Sequence, residues 1–146
     1  GLFDIMPELA IGRGVLGAVM PSASDMAAIR RNRKAVADFA ATDRGQSAVL
    51  FDGSVIATET FKGTDELIRR AARLKRGRRG GVLVKVMKPG QDMRADIPTI
   101  GIGTIKNLAA GKFDGVAVEA GKVITEGDRR ALLRLADEKG IFIVGI

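Results

Sequence analysis

The 146-residue sequence contains no histidine and no cysteine. Without imidazole or thiolate, the usual zinc sites are excluded, as are Ser-His-Asp and Cys-His nucleophilic devices built within this chain. No disulfide framework can form, which agrees with a reducing compartment. Tryptophan and tyrosine are also absent and phenylalanine occurs only six times, so stacking platforms for single-stranded nucleic acid are scarce. No apolar run approaches the roughly 20 residues of a transmembrane helix, and no signal peptide is visible. The chain opens at Gly1 rather than Met and stops at Ile146 directly after an apparent strand. It reads as a piece of a longer protein.

What remains for chemistry is carboxylate, lysine, arginine, hydroxyl and backbone N–H. An all-oxygen ligand set suits Mg²⁺ or Mn²⁺. With 46% hydrophobic residues, the chain has enough apolar side chains for one domain with a true core.

The charge is uneven. Lys and Arg number 24 against 17 Asp and Glu. Between 69 and 79 lie Arg69, Arg70, Arg73, Lys75, Arg76, Arg78 and Arg79 with no acid; setting these seven aside leaves 17 basic and 17 acidic residues. One local basic patch points to an anionic partner: a phosphorylated small molecule, a membrane surface or nucleic acid. The shortage of aromatics and the lack of an RNA-binding motif argue against nucleic acid.

The element pattern alternates helix and strand. Residues 1–20, broken by Pro7, Gly12, Gly14 and Gly17, read as a linker or docking segment. Pro21 to Asp25 signals the start of a helix over 23–40. Strands at 46–51 and 54–59 flank Asp52-Gly53, a hairpin turn. A helix over 65–76 follows, with Thr64 as its cap, Leu67, Ala71 and Leu74 inward, and Arg69, Arg73 and Arg76 on another face that Arg70 and Lys75 extend. A buried strand at 82–87, a loop at 88–99 and a helix at 101–110 come next. Strands at 116–119 and 122–124 then read as a second hairpin around Ala120-Gly121. A last helix from 127 buries Leu132, Leu135 and Ala136, and a strand at 141–145 closes the chain. This is an α/β layered domain with a mixed β-sheet flanked by helices.

Several residues carry chemistry. Asp92, Arg94 and Asp96 alternate between Pro89 and Pro98, and on extended backbone all three share one side. The two carboxylates can hold a metal, or one can serve as general base, while Arg94 can neutralise charge on a phosphoryl group. A solvated loop with an internal Asp–Arg pair fits the same spacing. Glu59 closes a strand and Asp65 opens a helix, places where α/β sites gather. Asp65 is a metal ligand or a helix-start acid favoured by the dipole. Glu59 is a ligand or the partner of Lys85. Lys85, inside an apolar strand, needs a partner or an anion. Lys88 points toward phosphate or solvent. Gln46 and Gln91 can orient water or a phosphate oxygen, or make structural hydrogen bonds. Thr99, Gly101, Gly103 and Thr104 form a Gly-rich entry to a helix that can bind an anion, though close packing explains the glycines as well. Glu119 is a weaker candidate at another strand end.

Four stretches together resemble one family: Asp43-Arg44-Gly45-Gln46; Glu59 followed by Gly63-Thr64-Asp65; Lys85 with Lys88-Pro89-Gly90-Gln91-Asp92-Met93-Arg94-Ala95-Asp96-Ile97-Pro98-Thr99-Ile100-Gly101; and Gly115-Val116-Ala117-Val118-Glu119-Ala120-Gly121. In order and spacing they are similar to the C-terminal catalytic half of the LpxI-type UDP-2,3-diacylglucosamine pyrophosphatases, over nearly the whole chain. One departure is Lys62, where an acid is expected before Gly-Thr-Asp. The resemblance implies metal-dependent hydrolysis of UDP-2,3-diacylglucosamine to UMP and lipid X by water attack on the α-phosphorus, in lipid A synthesis, with Mg²⁺ or Mn²⁺. It implies a separate N-terminal domain not contained in this chain, and a cytoplasmic place, peripheral to the inner membrane. It leaves a homo-oligomer open. It favours the functional reading of Asp92, Asp96 and Arg94 as catalytic, with Asp92 the first choice through its match to the family's acidic motif; Lys85, Lys88, Gln91, Thr99, Gln46 and Thr64 are the expected substrate-binding residues. Asp92, Asp96, Asp65 and Glu59 are the expected metal ligands.

Overall fold

The computed structural model describes residues 10–88 and 97–146. Eight strands and four helices follow in the order β1 (Gly14–Leu16), α1 (Ala23–Ala40), β2 (Ser47–Phe51), β3 (Ser54–Thr58), α2 (Thr64–Leu74), β4 (Val82–Lys85), β5 (Thr99–Ile100), α3 (Ile102–Ala110), β6 (Gly115–Val118), β7 (Ile124–Thr125), α4 (Arg129–Lys139) and β8 (Phe142–Gly145). Six strands form one mixed sheet ordered β1-β8-β6-β4-β2-β3. Its centre is parallel, with β6 paired to β4 on one side and to β8 on the other. Both flanks are antiparallel, β1 on β8 and the β2–β3 hairpin on β4.

Alternation along the central strands divides the core in two. Val49, Leu83, Val116, Val118 and Ile143 face a layer made by Leu67, Ile68 and Ala71 of α2, Ile105 and Leu108 of α3, and Leu132 and Ala136 of α4. Ala48, Leu50, Val82, Val84, Ala117, Phe142 and Val144 face Ala28, Ile29, Val36 and Ala40 of α1. Period-two strands thus supply both faces of the sheet, and period-3.6 helices cover them. Each fully buried Leu, Ile or Val contributes about 1.5–3 kcal/mol of transfer free energy.

Local signals explain most element ends. Ser22 caps α1, its hydroxyl accepting the Asp25 N–H at 3.0 Å. Asp52 (φ 51) and Gly53 (φ 83) make the expected hairpin turn, since both central positions of that turn need positive φ. Asp128 caps α4 and Gly140 ends it in the left-handed region.

Some expectations are corrected. Residues 14–16 are an edge strand of the main sheet rather than linker, and Ile11 is fully buried. There is no second hairpin: both edges of β6 are taken by parallel neighbours, so β7 pairs instead with β5, in parallel, as a separate two-stranded unit. Leu135 is only partly buried. At the end of α2, Leu74 is 53% exposed and Lys75, assigned above to the basic surface, is wholly buried. The reason is electrostatic. The Lys75 ammonium donates to the carbonyls of Arg78, Gly80 and Gly111 at 3.1, 2.7 and 2.8 Å and lies 3.8 Å from the Phe113 ring centroid. A buried cation is tolerated when surrounded in this way.

Candidate active site

The three helices on one side of the sheet all begin at the same place. The starts of α2 (Gly63, Thr64, Asp65), α3 (Gly101, Ile102, Gly103, Thr104) and the approach to α4 (Glu126, Gly127, Asp128) line a cleft of about 600 Å³, together with Lys62, Lys85 and Thr99. Lys85 ends β4, so the cleft opens at the carboxyl end of a parallel strand, the usual position for ligands in such sheets. Helix N-termini carry partial positive charge and unsatisfied N–H groups. Three of them beside a lysine favour an anionic ligand.

Lys85 is 9% exposed. Its ammonium donates to the Thr99 carbonyl at 2.8 Å and to the Thr64 hydroxyl at 3.3 Å. Burial pulls its pKa below the ordinary lysine value, and the negative charges of Glu59, Asp65 and Glu126 oppose that shift. Thr64 donates in turn to Glu59 Oε1 at 2.6 Å, while Glu59 Oε2 accepts the Gln46 N–H at 2.9 Å. Lys85 therefore meets Glu59 through Thr64. Thr64 does not cap α2: Gly63 holds the cap position, with no side-chain cap bond.

Across Glu59 lies a second, smaller pocket of about 250 Å³, lined by Ala40, Asp43, Arg44, Gly45, Gln46, Glu59 and Lys88. Asp43 sits at φ 65, a conformation Asp tolerates better than most residues. It pairs with Lys88 at 3.2 Å. Gln46 Oε1 is buried with no hydrogen-bond partner among the described residues. Lys88 and Thr99, which flank the long motif, thus belong to two pockets separated by the Glu59–Thr64 pair.

The structure brings Lys85, Thr99, Thr64 and Asp65 to one cleft, and Gln46, Glu59 and Lys88 to its neighbour. Asp65 also accepts from Asn107 Nδ2 at 3.1 Å, which fixes α2 against α3. Glu119 accepts the Met87 N–H at 3.0 Å. Gln91, Asp92, Arg94 and Asp96 lie outside the described residues. Among the described residues no three acidic side chains are grouped to hold a metal ion. Sequence reasoning missed Arg44, Glu126 and Asp128 as lining residues. Arg44 was within reach, since it lies inside the Asp43–Gln46 motif, whereas Glu126 and Asp128 carry no signal beyond a helix start.

The fold and cleft define an α/β domain with a polar cleft at the carboxyl end of a parallel strand, lined by three helix starts and a buried lysine, with Asp65, Glu126 and Asp128 among them. Residues 12–144 match the LpxI C-terminal domain. The chain is 38% identical over 152 aligned positions to the UDP-2,3-diacylglucosamine pyrophosphatase LpxI of Caulobacter vibrioides, an alignment covering 100% of this chain and 54% of that protein. The chain belongs to the LpxI family. It spans about half the length of the relative it matches.

Proposed function

We propose that this chain is the catalytic half of an enzyme that hydrolyses UDP-2,3-diacylglucosamine to UMP and lipid X in lipid A synthesis. The observation that carries the reading is the convergence of three helix starts and Lys85 on one cleft in a chain of this family. Water adds to the α-phosphorus, the bridging P–O bond breaks, and the proton of the water leaves to a base. Negative charge grows on the phosphoryl oxygens and on the departing phosphate. Preorganised N–H groups and an ammonium lining the cleft stabilise that charge. Glu59 holds Thr64 and the Gln46 N–H in place, so it acts as a positioning residue between the two pockets.

Asp92, through its match to the family's acidic motif, is the first choice for an essential residue, with Asp96 beside it in the sequence. Mg²⁺ or Mn²⁺ belongs to the proposal as the expected cofactor. The described carboxylates do not make its site by themselves; Asp92 and Asp96, with Asp65 from the cleft wall, would hold it. When bound, such an ion polarises a phosphoryl oxygen and lowers the pKa of bound water.

The test is release of UMP from radiolabelled UDP-2,3-diacylglucosamine by the intact protein, with and without chelator. Turnover that chelator abolishes and added Mg²⁺ or Mn²⁺ restores is expected, and Asp92→Ala is expected to abolish it without unfolding. No UMP release under any metal condition would overturn the reading. Full activity in Asp92→Ala would remove that residue from the mechanism.

A further inference from the structure

We infer that Ser47 is a positioning residue that takes over the Thr64 bond to Glu59 when a phosphorylated ligand occupies the cleft. Ser47 opens β2 and is wholly buried, and its hydroxyl has no hydrogen-bond partner among the described residues. A buried hydroxyl without a partner costs free energy that alanine in its place would not, and the rest of β2 is apolar. The place of the serine in the sheet accounts for it. Ser47 is paired with Lys85 across the β2–β4 ladder. On the other side its carbonyl accepts the Glu59 N–H at 2.9 Å, one step beyond the Ala48–Thr58 pair. Residues opposed in this way send their side chains to one face of the sheet, so the order across that face is Lys85, Ser47, Glu59.

Lys85 and Glu59 pass Ser47 by. Both bond to Thr64 instead, the ammonium at 3.3 Å and the carboxylate at 2.6 Å. Thr64 also lines the cleft, and a hydroxyl has a single proton to give. In the free protein that proton goes to Glu59 Oε1. A phosphoryl oxygen in the cleft competes for it. With nothing behind it, a Thr64 turned to the ligand would leave Glu59 Oε1 without its donor, a loss large enough to hold Thr64 back. Ser47 removes that obstacle. Opposed residues have Cβ atoms about 4.5–5.5 Å apart, so the serine hydroxyl reaches the glutamate by turning about χ1. Glu59 then keeps two donors in both states, the Gln46 N–H throughout and a hydroxyl from Thr64 or from Ser47. The hand-over rests on the cleft taking a phosphorylated ligand, as proposed above, and not on the hydrolysis of that ligand.

The first test needs no ligand. Thr64→Val deprives Glu59 Oε1 of its donor, so in that variant Ser47 should already have turned to it. In urea unfolding of the intact protein, Ser47→Ala alone is expected to leave the unfolding constant unchanged or to lower it. Added to Thr64→Val, the same change is expected to raise that constant about fivefold or more, because it removes the last hydroxyl available to Glu59 Oε1. The second test is UMP release from UDP-2,3-diacylglucosamine. Ser47→Ala is expected to lower kcat/KM about tenfold, and by less than about twofold when Thr64 is already Val. Ser47→Cys, close in size but a weaker donor, should fall between serine and alanine. A residue that only filled space would not reverse its effect on stability with the state of Thr64. An effect of Ser47→Ala on stability that is the same in both backgrounds, or full kcat/KM in Ser47→Ala beside an active wild type, would overturn the proposal. The stability reversal in a protein that releases no UMP would support the hand-over and count against the hydrolase reading alone.

Discussion

The Thr64 hydroxyl donates to Glu59 Oε1 at 2.6 Å, and the same hydroxyl is 3.3 Å from the Lys85 ammonium. One short side chain thus links a carboxylate at the end of β3 to a buried lysine at the end of β4. Replacing Glu59 by Ala strands the Thr64 hydroxyl and the Gln46 N–H and takes a counter-charge from Lys85. A destabilisation of about 1–3 kcal/mol is expected, read by urea denaturation, together with a fall in kcat/KM for UMP release. Glu59→Gln keeps one acceptor oxygen and should lose less of both. Equal losses in the two variants would show that acceptor geometry does not matter here.

Gly45 tests the same arrangement from the other side. A Cβ there would meet Glu59 Cβ at 2.7 Å and Oε2 at 2.8 Å, so Gly45→Ala must push Glu59 away. Overpacking of this kind costs about 1–3 kcal/mol. Activity is expected to drop in Gly45→Ala about as far as in Glu59→Ala. Unchanged kinetics would mean that Glu59 has room to shift without consequence.

Lys75 gives a pH-dependent prediction. Burial lowers its pKa from 10.5 to about 8, with the Asp114 charge opposing and Arg79 and Lys112 reinforcing the shift. A lowered lysine pKa means that the unfolded chain binds more protons between about pH 8 and 10.5, so this residue's contribution to stability rises with pH across that window. Lys75→Met leaves the carbonyls of Arg78, Gly80, Gly111 and Lys112 without their donor and is expected to be destabilised by about 1–3 kcal/mol or more. The gap between wild type and variant should widen from pH 8 to pH 10, measured by denaturant unfolding. A gap that stays constant would mean that the carbonyl cage holds the ammonium charged throughout that range.

Asp25 predicts the opposite slope at acid pH. Its pKa is raised from 3.8 to about 6, first by burial and then by the hydrogen bond and charge of Asp114, against the lowering effect of Ser22. The folded state binds the extra proton, so stability from this group is present below pH 4 and is lost as pH rises through 6. Asp25→Asn should therefore melt above wild type at pH 7 and together with it near pH 4. A lower melting temperature at pH 7 would show that the charge is compensated by Arg31 or Arg79, which line the same hollow.

Much of the fold was legible because local chemistry decided it. Asp52-Gly53 admits little but a tight turn, Ser22 marks the start of α1, and the apolar run from Val82 suits a central strand. The failures share one cause, contacts between residues distant in sequence. Lys75 is buried through carbonyls up to 37 residues away, and no helical pattern marks a lysine as inward. Ala120-Gly121 promised a hairpin until β4 and β8 claimed both edges of β6. At the candidate site, Glu59, Lys85, Thr64 and Thr99 could be named from strand ends and helix starts. Their division between two pockets could not, because it depends on which way the Thr64 hydroxyl turns. Glu126 reaches the cleft because β7 pairs with β5, a partnership of two residues on each side and too short for a sequence pattern.

The short strand at Gly14–Leu16 bears on where this domain can be cut. It covers the outer edge of β8 through antiparallel pairing, and just upstream Ile11 is tied to Val123 and Gly121 by backbone bonds of 2.8 and 2.9 Å. A shortened version that begins after Leu16 would bare a row of backbone donors and acceptors on Phe142–Gly145, and bare edges recruit strands from neighbouring molecules. For anyone preparing this half by itself, the segment with the least helix or strand signal in the sequence is the guard against self-association.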